Sequence, residues 1–114
     1  MSILDFLFKK QTNIEASEVL NAEDFRNAIS NKKVQLVDVR TSREFTSGHI
    51  KGAQNIDFFK QPEFKATFSK MNKDEPVYLY CQSGNRSQKA AKKLVAMGFS
   101  TVYDLRGGYS MWKY

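Results

Sequence analysis

One cysteine, one histidine, one tryptophan and two prolines are spread over 114 residues. A single thiol cannot close an internal disulfide, so the chain is not a stapled secreted scaffold. It survives best in a reducing compartment, which points to the cytoplasm. One Cys and one His far apart in sequence supply too few soft ligands for zinc, so no metal is expected. No apolar run is long enough to span a bilayer. No internal repeat or low-complexity tract occurs. A long basic run with interleaved aromatics is also missing. The net charge of +6 is carried instead by scattered residues and pairs such as Lys9-Lys10, Lys32-Lys33 and Lys92-Lys93. That excludes an obvious nucleic-acid surface and leaves a basic field that would concentrate small anions.

What is present is a soluble globular balance, with 41% hydrophobic and 26% charged residues in a chain the size of one domain. The opening "MSILDFLFKK" has apolar residues ahead of two lysines, with Asp5 interrupting them. A signal peptide would place basic residues first and carry a longer apolar run. Residues 1–13 are therefore expected to be an amphipathic extension, and residues 14–114 the domain proper.

Strand and helix signals alternate from there. Glu18-Val19-Leu20 is a weak strand, and Asn21 can cap a helix carrying Phe25 and Ile29 on one face. Val34 to Arg40 reads as a strand buried on both sides. Thr41 or Ser42 caps a short helical turn, and Gly48 to Ala53 is a loop before a short strand near Gln54 to Ile56. A helix over Pro62 to Met71 places Phe64 and Phe68 together. Val77 to Tyr80 follows as a strand, then a helix over Ser87 to Met97 that stops at Gly98. Thr101 to Leu105 is the last strand, and Gly107 to Trp112 turns into a terminal helix. This alternation predicts an α/β fold with a largely parallel sheet, whose chemistry lies beyond the carboxyl ends of the strands. Cys81 and Arg40 lie at such ends.

The lone thiol opens the stretch "CQSGNRS", between the strand "VYLY" and the long helix. Gly84 allows the loop a positive φ, and the following helix aims unpaired N–H groups back over it. Such a cradle binds anions and stabilises a thiolate, with Arg86 adding a full charge. An inert buried cysteine is the plain alternative.

"CQSGNRS" resembles the active-site loop of the rhodanese-like sulfurtransferases. "VDVR" with "REF" and "GHIKGAQNI" is similar to that family's upstream signature, and "GGYSMW" to its closing segment; the four segments stand in family order. The resemblance implies a three-layer α/β/α fold around a mostly parallel five-stranded sheet. It also implies an enzyme, a thiosulfate sulfurtransferase, that holds sulfane sulfur as a persulfide on Cys81. An anionic donor such as thiosulfate would load it, and cyanide or a thiol, small or on a partner protein, would accept it. Gln82, Ser83, Gly84, Asn85, Arg86 and Ser87, together with Arg40, are expected to bind the substrate. No metal or organic cofactor is implied.

Arg86 can bind the donor or brace the loop against Asp38 or Glu44. Arg40 is a rim cation or a salt-bridge partner; Asp38 satisfies loop N–H groups. Ser87 reads as a helix cap, and His49, in "GHIKGA", as structural rather than as a base. A cysteine phosphatase or arsenate reductase is the rival enzyme. Its pattern has one residue more between Cys and Arg than the four here, and a His where this chain has Tyr80. A sulfur relay and a non-catalytic binding module complete the alternatives, the latter disfavoured by the intact loop.

Overall fold

The computed structural model describes residues 16–112. The expected extension over residues 1–13 lies outside the described residues. The described elements are β1 (Ser17–Leu20), α1 (Ala22–Ile29), β2 (Gln35–Asp38), α2 (Ser42–Thr46) and β3 (Gln54–Asn55). They continue with α3 (Gln61–Ser69), β4 (Val77–Tyr80), α4 (Asn85–Ala96), β5 (Val102–Leu105) and a 3-10 turn at Tyr109–Met111. The expected terminal helix is therefore a single tight turn.

Five strands form one sheet in the order β1-β5-β4-β2-β3, and every pairing is parallel. The order places β4 at the centre, with β2 and β5 as its neighbours. Its two faces are read directly from alternation along the strands. Val37, Val39, Leu79, Cys81 and Val102 point into one core, closed by Phe64 and Phe68 of α3 and by Ala90, Ala91 and Leu94 of α4. Leu36, Tyr80 and Leu105 point into the other, with Phe25 of α1, Ile50 and Trp112. Two apolar faces on one sheet demand cover on both sides, which is the physical origin of the three layers.

The chain ends of the helices follow local chemistry. Asn21 caps α1 by accepting from the Asp24 N–H at 2.8 Å. Thr41 and Glu44 form a reciprocal capping box on α2, so Thr41 rather than Ser42 is its cap. Gly98, with φ of 102°, ends α4 as the left-handed residue after Met97. The N-terminus of α4 differs from expectation. It starts at Asn85 with Gly84 as its cap, at φ 109°, so Ser87 is not a cap but sits inside the first turn. Starting earlier brings the helix end directly over Cys81.

Candidate active site

Cys81 follows the last residue of β4, and its side chain alternates with Tyr80 into the core under α4. The residue is fully buried. Its sulfur accepts the Gly84 N–H at 3.0 Å and lies 3.5 Å from the Ser87 hydroxyl oxygen. The loop has therefore turned back on its own cysteine, and the left-handed Gly84 makes that turn sterically cheap. No side chain caps α4, and a helix leaves its first N–H groups without intrahelical partners. The positive end of α4 thus faces the thiol.

The loop is clamped from three directions. From one side, Tyr109 N–H donates to the Cys81 carbonyl at 2.8 Å and Ser110 N–H to the Gln82 carbonyl at 3.0 Å. This contact explains Gly108: a Cβ there would lie 2.5 Å from the Cys81 carbonyl oxygen and 2.6 Å from the Gln82 carbonyl carbon. From the opposite side, Arg86 makes a two-pronged ion pair with Glu44, at 2.7 and 3.0 Å. Of the two carboxylates considered for it, Glu44 is the partner. Hydrogen bonding from Arg86 is the largest influence holding the Glu44 carboxyl down to about 2, and the same contact raises the Arg86 guanidinium. The Arg86 head also lies 5.5 Å from the ring of Phe59, a side chain that is 65% exposed.

Arg40 supplies the third clamp, in the second of the two roles considered for it. Expected among the substrate-binding residues, it is 2% exposed and makes a salt bridge to Asp38. Its Nε and Nη2 donate to Asp38, Nη2 also to the Gly48 carbonyl, and Nη1 to Gln82 Oε1 at 2.9 Å. The guanidinium face rests 4.5 Å from the Tyr109 ring. Asp38 in turn accepts the Arg40 backbone N–H at 2.8 Å, the loop-satisfying role expected of it. The guanidinium is thus held by a buried carboxylate, a carbonyl and a loop amide.

Ser83 and Asn85 are exposed on the outer side of the loop, and Gln82 is half-buried. His49 lies apart from this constellation: its Nδ1 contacts the Phe45 carbonyl at 2.8 Å, and its ring stacks on Phe45. Tyr80, in the position a phosphatase would give to His, is a buried post whose hydroxyl accepts the Ile50 N–H; burial pushes that hydroxyl above its ordinary range. One residue has no role in the sequence motifs. Asp104, in β5, is 2% exposed, and its Oδ1 has no hydrogen-bond partner among the described residues. Its signal is present in the pattern, since Asp104 shares a strand face with Val102 and so occupies a core position.

A cysteine at the end of the central parallel strand, wrapped by its own loop at a helix N-terminus, is matched by family. The profile of the rhodanese-like domain covers residues 21–114. This chain belongs to the rhodanese-like family. It is 41% identical over 95 residues to Uncharacterized protein YqhL of Bacillus subtilis, covering 83% of this chain and 71% of that protein. It is 38% identical over 88 residues to Thiosulfate sulfurtransferase GlpE of Stutzerimonas stutzeri, covering 77% of this chain and 78% of that one. The structure of a rhodanese-like domain protein from Staphylococcus aureus superposes with a TM-score of 0.73 at 31% identity, over 84% of this chain and 91% of that one. The rhodanese-like sheet expected from the motifs is thus present, with all of its strands parallel. Among the described residues, no helix is long and apolar enough to cross a membrane.

Proposed function

We propose that this rhodanese-like chain is a sulfurtransferase that carries sulfane sulfur as a persulfide on Cys81. The observation that carries the reading is the Gly84 N–H held 3.0 Å from the Cys81 sulfur at the N-terminus of α4. A donor aimed at sulfur, backed by a helix end, is placed to hold negative charge that develops there during transfer. The thiolate attacks the outer sulfur of thiosulfate; the S–S bond to the sulfonate breaks, and sulfite leaves with its electron pair. The product is Cys–S–S⁻, whose terminal charge falls to the N–H groups of residues 82–87, as an oxyanion falls to its donors. Because the sulfur is buried, residues 82–86 must part to admit the donor, while the clamps at Arg40, Glu44 and Gly108 return them.

Cyanide or a thiol then attacks the outer sulfur and regenerates the thiolate. No second cysteine exists in the chain, so an external thiol, free or on a partner protein, accepts the sulfur. A persistent reduced thiol fits a cytoplasmic setting. The relative named as a thiosulfate sulfurtransferase supports thiosulfate as donor. The test is intact mass after incubation with thiosulfate, followed by addition of cyanide or a dithiol. Gain of one sulfur on the wild type, its removal by acceptor and no gain on Cys81→Ser are expected. An unmodified wild type, or sulfur carried elsewhere on the chain, would overturn the reading.

A further inference from the structure

The side of the sheet opposite the Cys81 side chain carries two adjoining cavities that the sulfur chemistry does not use. The larger, of about 420 Å³, is lined by the apolar Ile29, Ile50 and Trp112 and by the basic Arg26, His49 and Lys51. The smaller, of about 240 Å³, is lined by Lys32, Lys33 and Lys51 together with Ile29, Val34 and Leu36. Ile29 and Lys51 are common to both, so the two meet there. Leu36, Ile50 and Trp112 belong to the core on this side, whereas Cys81 points into the other.

The charge around these cavities is of one sign. Among the described residues, no carboxylate lines either of them. The side chains of Lys32, Lys33 and Lys51 have no ion pair or hydrogen bond among the described residues. Three ammonium groups around so small a space repel one another, and a multiply charged anion removes that repulsion. Lys32 and Lys33 follow the carboxyl end of α1, where cations are favoured in any case. Lys51 has no such reason. It comes from the loop opposite, beside Gly52, where an added Cβ would meet nothing within 4 Å. The acids of α1, Glu23 and Asp24, sit in its first turn, at the far end from these lysines.

The larger cavity has a different chemistry. Trp112 is 9% exposed, and the Arg26 guanidinium lies 4.2 Å from its ring centre. With Ile29 and Ile50 it gives an apolar wall, in a volume within the range of about 300–1,000 Å³ usual for small-molecule sites.

We propose that the two cavities form one site for a small organic phosphate monoester. Its dianionic head lies among Lys32, Lys33 and Lys51, and its hydrocarbon body lies against Ile29, Ile50 and Trp112. Lysine meets phosphate as a compact point charge on a flexible stem, which suits ammonium groups converging from two separate segments. A bare inorganic anion would satisfy the head and leave the apolar wall wet, so the body adds affinity. The site does not depend on the sulfurtransferase reading of Cys81.

Hexyl phosphate is the probe, with inorganic phosphate as the head alone and hexanol as the body alone. Trp112 is the only tryptophan, so its fluorescence reports the larger cavity. Backbone ¹H–¹⁵N shifts of Lys33, Val34, Lys51 and Gly52 report the smaller. Hexyl phosphate should bind saturably, tighter than either fragment, and move both readouts. Lys32→Met with Lys51→Met should weaken it at least about tenfold, the scale of losing charge-assisted hydrogen bonds. Lys65→Met with Lys93→Met removes the same charge from exposed positions on α3 and α4 and should change it by less than about twofold at physiological salt. Equal weakening by both double variants would reduce the effect to net charge and overturn the proposal. So would hexyl phosphate binding no tighter than inorganic phosphate, or shifts confined to residues 82–87. Binding to phosphatidic acid vesicles without binding of monomeric hexyl phosphate would replace the site with a lipid surface and overturn it as well. None of these readouts uses sulfur transfer.

Discussion

Arg40 and Gln82 are joined by a 2.9 Å hydrogen bond from guanidinium to side-chain carbonyl, across 42 residues of sequence. The bond ties the end of β2 to the second residue of the cysteine loop. Behind it lies a fully buried Asp38, so Arg40 balances a charge with one end of its fork and positions the loop with the other. Arg40→Met strands the Asp38 carboxylate and should cost about 3–5 kcal/mol in urea unfolding. Gln82→Met should cost only about 1 kcal/mol, yet slow thiosulfate loading of Cys81. Equal loading rates in the Gln82 variant and the wild type would show that the clamp does not position the loop.

The Glu44–Arg86 pair predicts a specific pH dependence. The Glu44 carboxyl falls from 4.5 in its unperturbed state to about 2 in the fold, chiefly through the Arg86 hydrogen bonds. A depressed carboxyl contributes stability that is complete above its unfolded value and is lost as pH falls toward its folded value. Glu44→Gln should therefore unfold at lower urea than wild type at neutral pH. The difference should shrink between pH 4.5 and about 2 and be gone below that window. A gap independent of pH would assign the loss to packing or to the α2 capping box instead.

Gly108 has φ of 63° and its missing Cβ would fall 2.5 Å from the Cys81 carbonyl oxygen. Backbone, not a flexible side chain, occupies that space. Gly108→Ala should cost of order 1–3 kcal/mol from strain alone, and should slow sulfur loading further by pushing the loop away from the 3-10 turn. The check is a melting curve alongside the intact-mass assay. A variant with wild-type stability and wild-type loading would mean that the two backbones need not approach so closely.

Loop length supplies a selectivity prediction. Four residues separate Cys81 and Arg86. Inserting one glycine between Gly84 and Asn85 should move the N–H donors away from a single terminal sulfur. Loading should fall, and binding of phosphate or arsenate should rise in calorimetry of the folded variant. Unchanged loading with no gain in oxyanion affinity would remove loop length as a ground for preferring sulfur.

Much of this protein is decided locally. The strands Val77–Tyr80 and Val102–Leu105, the Asn21 and Thr41 caps, and the stop at Gly98 depend on side-chain type and near-neighbour geometry. The cysteine loop, ordered with its three companion segments, makes the family legible from the sequence alone. The start of α4 is not legible there, because Ser87 has the chemistry of a cap while Gly84 has the backbone freedom for one. Burial of Ser87 against Cys81 is a contact that only packing creates. The same holds for charge. The sequence places Arg40 at a strand end, but whether its guanidinium meets solvent or Asp38 depends on the loop that folds over it. Asp104 looks like an ordinary acid within "VYDL". Its burial, which pushes the carboxyl up to about 6, is set by parallel register with β4, and register is a property of the sheet rather than of any one strand.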